Sequence, residues 1–103
     1  MITFVRTAAI HEGKLMDAME WAADLAEYIR DNIEGANLQA ARRIGGEMYQ
    51  VCWIATYDSL AAFEEVMGRM EADDGYRERL SDARGMTLFV SHTVFDEIYQ
   101  SIG

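Results

Sequence analysis

Few residues in this chain have side chains that could do chemistry: Arg6, the histidines His11 and His92, the single Cys52, and the aromatics Tyr49, Trp53 and Tyr57. Arg6 interrupts an otherwise uncharged stretch, ITFVRTAAI, where a charge must be paired or reach water. Two outcomes are open for it: a salt bridge to Asp96 or Glu97 late in the chain, or capture of an anionic ligand by the guanidinium. His92 is the one imidazole inside a predicted strand, which makes it the candidate for catalytic proton transfer. The commoner fate of such a residue is a hydrogen-bonded core or rim histidine. His11 precedes Glu12-Gly13 at a strand exit and is expected at the surface. Tyr49, Trp53 and Tyr57 share one face of a strand with alternating side chains. They either pack as an aromatic core or, with Arg6, line a ligand cavity.

Other chemistries lack their residues. Two histidines without metal-ligand spacing and one cysteine argue against a metal site, and no cofactor is implied. The chain has no glycine-rich phosphate loop and no G-x-S-x-G turn. Asp73-Asp74 reads as a helix cap and not as an acid–base pair. Cys52, between Val51 and Trp53, is expected to be a small buried residue with a sluggish thiol.

With 103 residues the chain fits one domain spanning positions 1–103. Eighteen acidic against nine basic side chains give a net charge of −9. That balance opposes binding to nucleic acid or to an anionic membrane surface. No uncharged apolar run approaches the ~18 residues of a membrane span, and residues 1–12 lack a signal-peptide pattern, so a cytoplasmic location is expected. Many of the acids lie between positions 12 and 34, as a solvated helix face or a docking face for a basic partner.

The elements that must position these groups follow from periodicity and punctuation. Residues 2–10 are β-branched and aromatic enough to form a strand, broken at His11-Glu12-Gly13. From 14 to 33, Leu15, Ala18, Met19, Ala22, Leu25, Ala26, Ile29 and Ile33 recur at three and four residues, predicting an amphipathic helix that stops near Gly35. Trp21 and Tyr28 fall on another side of it, against a neighbouring element or a partner. Residues 36–44 form a weaker strand, and Gly45-Gly46 predicts a two-residue hairpin into a strand over 49–57. Asp58-Ser59 caps a helix over 60–72, and a second cap at Asp73-Asp74-Gly75 starts a short helix over 76–84 with Tyr76, Leu80 and Ala83 apolar. Residues 87–99 predict one long final strand, with Phe89 and Phe95 on one face and His92 on the other.

This order predicts an α+β, ferredoxin-like βαββαβ fold. It is a four-stranded antiparallel sheet with the first and third strands central and the helices on one face. Every strand carries apolar residues at both parities, so the second face needs a cover. A second copy of the chain would supply it, forming a homodimer as a dimeric α+β barrel.

Two stretches, MITFVRTAAIHEGKLMDAME and YDSLAAFEEVMGRMEADDGYRERL, resemble the dimeric α+β barrel proteins and in particular the NIPSNAP-like ones. The first resembles their opening strand, with its internal arginine, and glycine-headed helix. The second resembles their third-strand exit, Asp-Ser cap, helix, acidic break and tail helix. This chain carries Glu12 and Gly75 where that group usually has prolines. The resemblance implies a fold whose members include cofactor-independent monooxygenases, small-molecule isomerases and proteins without known activity.

Two functions are therefore expected to compete. One is binding of a small apolar or aromatic molecule between sheet and helices, with cofactor-independent monooxygenase- or isomerase-type activity. If register places Arg6, Trp53 and His92 on one face, that ligand would be an aromatic or apolar acid. The other is a non-catalytic dimeric protein-interaction module using the acidic helix with Trp21 and Tyr28.

Overall fold

The computed structural model describes residues 1–103. Four strands, β1 (Ile2–Ala9), β2 (Gln39–Arg42), β3 (Gln50–Tyr57) and β4 (Phe95–Gln100), form one antiparallel sheet in the order β2-β3-β1-β4. Helices α1 (Leu15–Asn32), α2 (Leu60–Ala72) and α3 (Asp74–Gly85) complete the expected α+β, ferredoxin-like architecture. No helix is long and apolar enough to cross a membrane.

Register explains the core. Ile2, Phe4, Arg6 and Ala8 of β1 stand opposite Tyr57, Ala55, Trp53 and Val51 of β3, and side chains at these alternating positions share one face. All except Arg6 are buried. Against them α1 lays Ala18, Ala22, Leu25, Ala26 and Ile29, every one buried. The alanines leave room for the Trp53 indole, whose Nε1 donates to the Ala22 carbonyl at 3.3 Å. Capping follows the expected chemistry: Ser59 Oγ accepts from the Ala62 amide at 3.1 Å and Asp73 Oδ2 from the Tyr76 amide at 2.9 Å.

Two connections depart from the sequence reading. The β2–β3 hairpin is not closed by Gly45-Gly46 alone. Its ladder ends at Arg42 opposite Val51, with the Arg43 amide bonded to the Gln50 carbonyl at 3.1 Å. Residues 44–49 therefore form a loop. Gly46 and Tyr49 both adopt positive φ (87° and 58°), and the Tyr49 carbonyl accepts from the Ile10 amide, one position beyond the last β1–β3 pair, Ala9–Gln50. Glycine takes that conformation freely; tyrosine does so only where the surroundings hold it.

The predicted strand over 87–99 is also interrupted. Phe95 pairs with Thr7, so an unbroken ladder would put His92 opposite Ile10, yet Ile10 is bridged to Phe89. The three-position difference (92 − 89) marks extra chain between the two pairings. Residues 90–94 leave the sheet, and Thr93 patches the gap. Its Oγ accepts from the Ala9 amide at 3.2 Å and donates to the Val90 carbonyl at 2.6 Å. An odd slip reverses the faces. Phe89 packs on the helix side, whereas Phe95 lies on the open side opposite Thr7. β4, six residues long, is shorter than the eight-residue β1 and β3 and is not the one long strand expected over 87–99.

Candidate functional site: a cavity between the sheet and two helices

A cavity of about 520 Å³, lined mostly by apolar side chains, opens between the helix face of the sheet, α1 and α3. Its aromatic wall joins three elements. Trp21 of α1 meets Trp53 of β3 edge-on with ring centroids 6.0 Å apart, and Phe89 lies 5.5 Å from Trp21 and 6.0 Å from Trp53. Both indole N–H groups are already used, Trp53 on the Ala22 carbonyl and Trp21 on the Arg79 carbonyl at 3.2 Å. The wall therefore offers a ligand ring edges and faces, with its two indole donors spent inside the protein.

The polar end is built on Arg6. Its Nε and Nη2 grip both oxygens of Asp96 at 2.7 and 2.9 Å, and Nη1 reaches the Tyr76 hydroxyl at 3.4 Å. The guanidinium carbon lies 5.5 Å from the Phe4 ring centroid. Asp96 is the direct cross-strand partner of Arg6, as Trp53 is on the other side. The bond to Asp96 raises the Arg6 pKa further above its already high value, although partial burial works the other way. Of the two outcomes open for Arg6, the salt bridge is therefore the one formed.

The remaining candidates lie elsewhere. His92 is not in a strand: it sits exposed in the turn between Phe89 and Phe95, outside the cavity lining. Tyr49, turned out of β3, is 58% exposed in the 44–49 loop. Tyr57 is buried against Phe63, ring centroids 5.4 Å apart, as part of the core, and burial pushes its phenol pKa up. Arg6 and Trp53 line the cavity; His92, Tyr49 and Tyr57 do not. His11, expected at the surface, instead reaches the lining. Tyr76 and Phe89 join the lining without being among the sequence's site candidates. The helical spacing of Tyr76, Leu80 and Ala83 marked the first as inward-facing, but nothing local marks the second. No three His, Cys, Asp or Glu side chains gather where they could hold a metal ion.

Helix α3 closes the cavity and is fastened to α1 by side chains. Tyr28 donates to Asp73 Oδ2 at 2.6 Å, and the Arg79 guanidinium carbon stacks 3.7 Å over the Tyr28 ring. Trp21 and Tyr28 are thus both half-buried against a neighbouring helix. The Tyr28 bond, with the Tyr76 amide, lowers the Asp73 pKa, and the same bond raises that of Tyr28. The signs predict two limits. A lowered carboxyl pKa stabilises above the unfolded-state value and is lost as pH falls below about 4. A raised phenol pKa stabilises below about pH 10 and is lost above it. Tyr28→Phe should flatten the thermal-stability profile at both ends, as measured by Tm against pH.

The NIPSNAP family model matches residues 5–94. This chain belongs to the NIPSNAP family. Solved structures agree on the fold. An uncharacterized NIPSNAP domain protein from Burkholderia xenovorans superposes with a TM-score of 0.79 at 17% identity, covering 99% of this chain and 95% of that one. A NIPSNAP family protein from Agrobacterium tumefaciens gives 0.77 at 20% identity, covering 98% and 92%. SnoaB, a cofactor-independent oxygenase from Streptomyces nogalater, gives 0.66 at 17% identity, covering 97% and 91%. No curated protein matches the chain. At these identities the structural likeness establishes the NIPSNAP chain's fold, and function must be argued from its own cavity.

Proposed function

We propose that this NIPSNAP-family chain is a cytoplasmic homodimer that binds a small apolar or aromatic molecule in the cavity between sheet and helices. Cofactor-independent monooxygenase- or isomerase-type chemistry is the activity such a site would host. The cavity carries the proposal. At about 520 Å³ it falls within the ~300–1,000 Å³ of ligand pockets, and it pairs an aromatic wall with one polar cluster. The likeness in fold to a cofactor-independent oxygenase supports the choice of chemistry, as analogy. Ligand contacts are assigned to Arg6 and Trp53. An interaction module would need Trp21 and Tyr28 free, and both are engaged with α3.

The dimer is supported by the face of the sheet turned away from the helices. Thr3, Val5, Thr7 and Ala9 of β1 lie there beside Cys52 and Ile54 of β3 and Phe95 and Tyr99 of β4. Phe95 and Tyr99 are each 52% exposed in the single chain. A second sheet would bury these aromatics.

Binding is testable through the chain's own reporters. Both of its tryptophans line the cavity, so a heteronuclear NMR spectrum should contain two indole N–H signals that shift together when a ligand enters. Titration with naphthalene should move both, and Ala83→Trp, which fills the cavity from α3, should abolish the shifts. Unmoved indole signals with naphthalene and with oxygen-bearing naphthalenes would overturn the binding proposal.

A further inference from the structure

We infer that the cavity selects uncharged ligands bearing an acceptor oxygen, such as an aromatic ketone or quinone, and rejects the corresponding acids. The inference rests on the binding proposal and adds the ligand's chemical class. Arg6 alone would favour a carboxylate, but its charge is already matched by Asp96 through two parallel hydrogen bonds. A ligand carboxylate on Arg6 would have to share the guanidinium with that aspartate, which stands just outside the lining, as a second negative charge on the same group.

What the cluster still offers is donors. The Tyr76 oxygen accepts from Arg6 Nη1, which leaves the phenol hydrogen without a partner in the protein. Of the five guanidinium hydrogens, three are engaged in bonds to Asp96 and Tyr76, leaving two. Tyr76 is only 7% exposed and lines the cavity, so its unspent donor is presented to whatever occupies that space. Such a donor is matched by an acceptor oxygen on a neutral body, while the aromatic wall of Trp21 and Trp53 takes the rings. Arg84, the other arginine of the lining, stands eight positions along α3 from Tyr76, ~12 Å at 1.5 Å per residue. Its backbone therefore starts well away from the Tyr76 end of the helix.

The test uses a nearly isosteric pair, 2-acetylnaphthalene and 2-naphthoate, with naphthalene as the oxygen-free reference. Affinities are read from the two indole signals in the intact protein at neutral pH. The ketone should bind at least tenfold tighter than the acid. Tyr76→Phe should cut ketone affinity at least threefold relative to naphthalene. Asp96→Asn, which removes the competing charge while keeping the side-chain shape, should shift the acid-to-ketone preference at least tenfold towards the acid. An acid that binds wild-type protein as tightly as the ketone overturns the selectivity and leaves the cavity proposal standing. That holds also if the acid binds through Arg84, as loss of its binding in Arg84→Gln would reveal. Failure of all three compounds to move the indole signals overturns both proposals.

Discussion

Replacing Gly75 by alanine is expected to dislodge helix α3. A methyl group at this position would overlap the Tyr28 hydroxyl and come within 2.6 Å of its Cζ and 3.2 Å of Cε2. The hydroxyl is the far end of a side chain, but the ring cannot swing freely. Asp73 holds its tip and the Arg79 guanidinium covers its face. Relief therefore requires α3 to move or Tyr28 to release Asp73, the residue that also caps α3. Overpacking of this kind costs ~1–3 kcal/mol, which in a domain of this size lowers Tm by roughly 5 to 15 °C. Because α3 walls the cavity, ligand affinity should fall with it. The diagnostic is a double-mutant cycle. Gly75→Ala combined with Tyr28→Ala should cost less than the sum of the two single changes, because the overlap disappears with the ring. An additive result would mean that Gly75 is not there to admit Tyr28.

The second large effect concerns the open face of the sheet. Ile54→Glu should convert the proposed homodimer into a monomer of 11.7 kDa by light scattering at micromolar concentration, or prevent folding altogether. Ile54 lies on β3 in register with Val5, near the middle of that face, and is 37% exposed in the single chain. At ~25 cal/mol per Å², several hundred Å² of apolar surface buried on association is worth several kcal/mol before the association entropy, and a carboxylate at its centre reverses the sign. A stable wild-type monomer would overturn the dimer. Cys52, two positions away on the same face, gives a second readout. It is half-buried in one chain and burial raises its thiol pKa, so wild-type protein should label slowly with thiol reagents. Folded monomeric Ile54→Glu should label faster.

Most of the scaffold that positions the cavity can be read from the chain, because its signals are local and agree with one another. The apolar spacing of α1, the caps at Ser59 and Asp73, and the β-branched and aromatic runs of β1 and β3 each have a single comfortable solution, and together they imply the sheet order. Whether Arg6 and Trp53 face the same side depends on register, and a long-range pairing decides that. The unbroken β-forming composition of 87–99 conceals its detour: no glycine or proline punctuates it, and the bond that stabilises the departure runs from Thr93 to Ala9. Tyr49 misled for a related reason. Its positive φ belongs to a tyrosine held by a distant amide, at a position where glycine would have announced the turn. His92 owed its candidacy entirely to the assumption that its strand was continuous.

That detour also bears on how the two faces of the domain can change over evolutionary time. In an uninterrupted strand Phe89 and Phe95 would look the same way, and inserting or deleting one residue between them would exchange inside for outside along everything that follows. Here the chain leaves the ladder after the Phe89 bridge and rejoins it at Phe95, so each segment is anchored by its own pairing, with Ile10 and with Thr7. The turn between them can change length without reversing either side, provided a side chain in the place of Thr93 keeps its bonds to Ala9 and Val90. A lineage could thus reshape the cavity wall at Phe89 while leaving the Phe95 surface untouched, or the reverse.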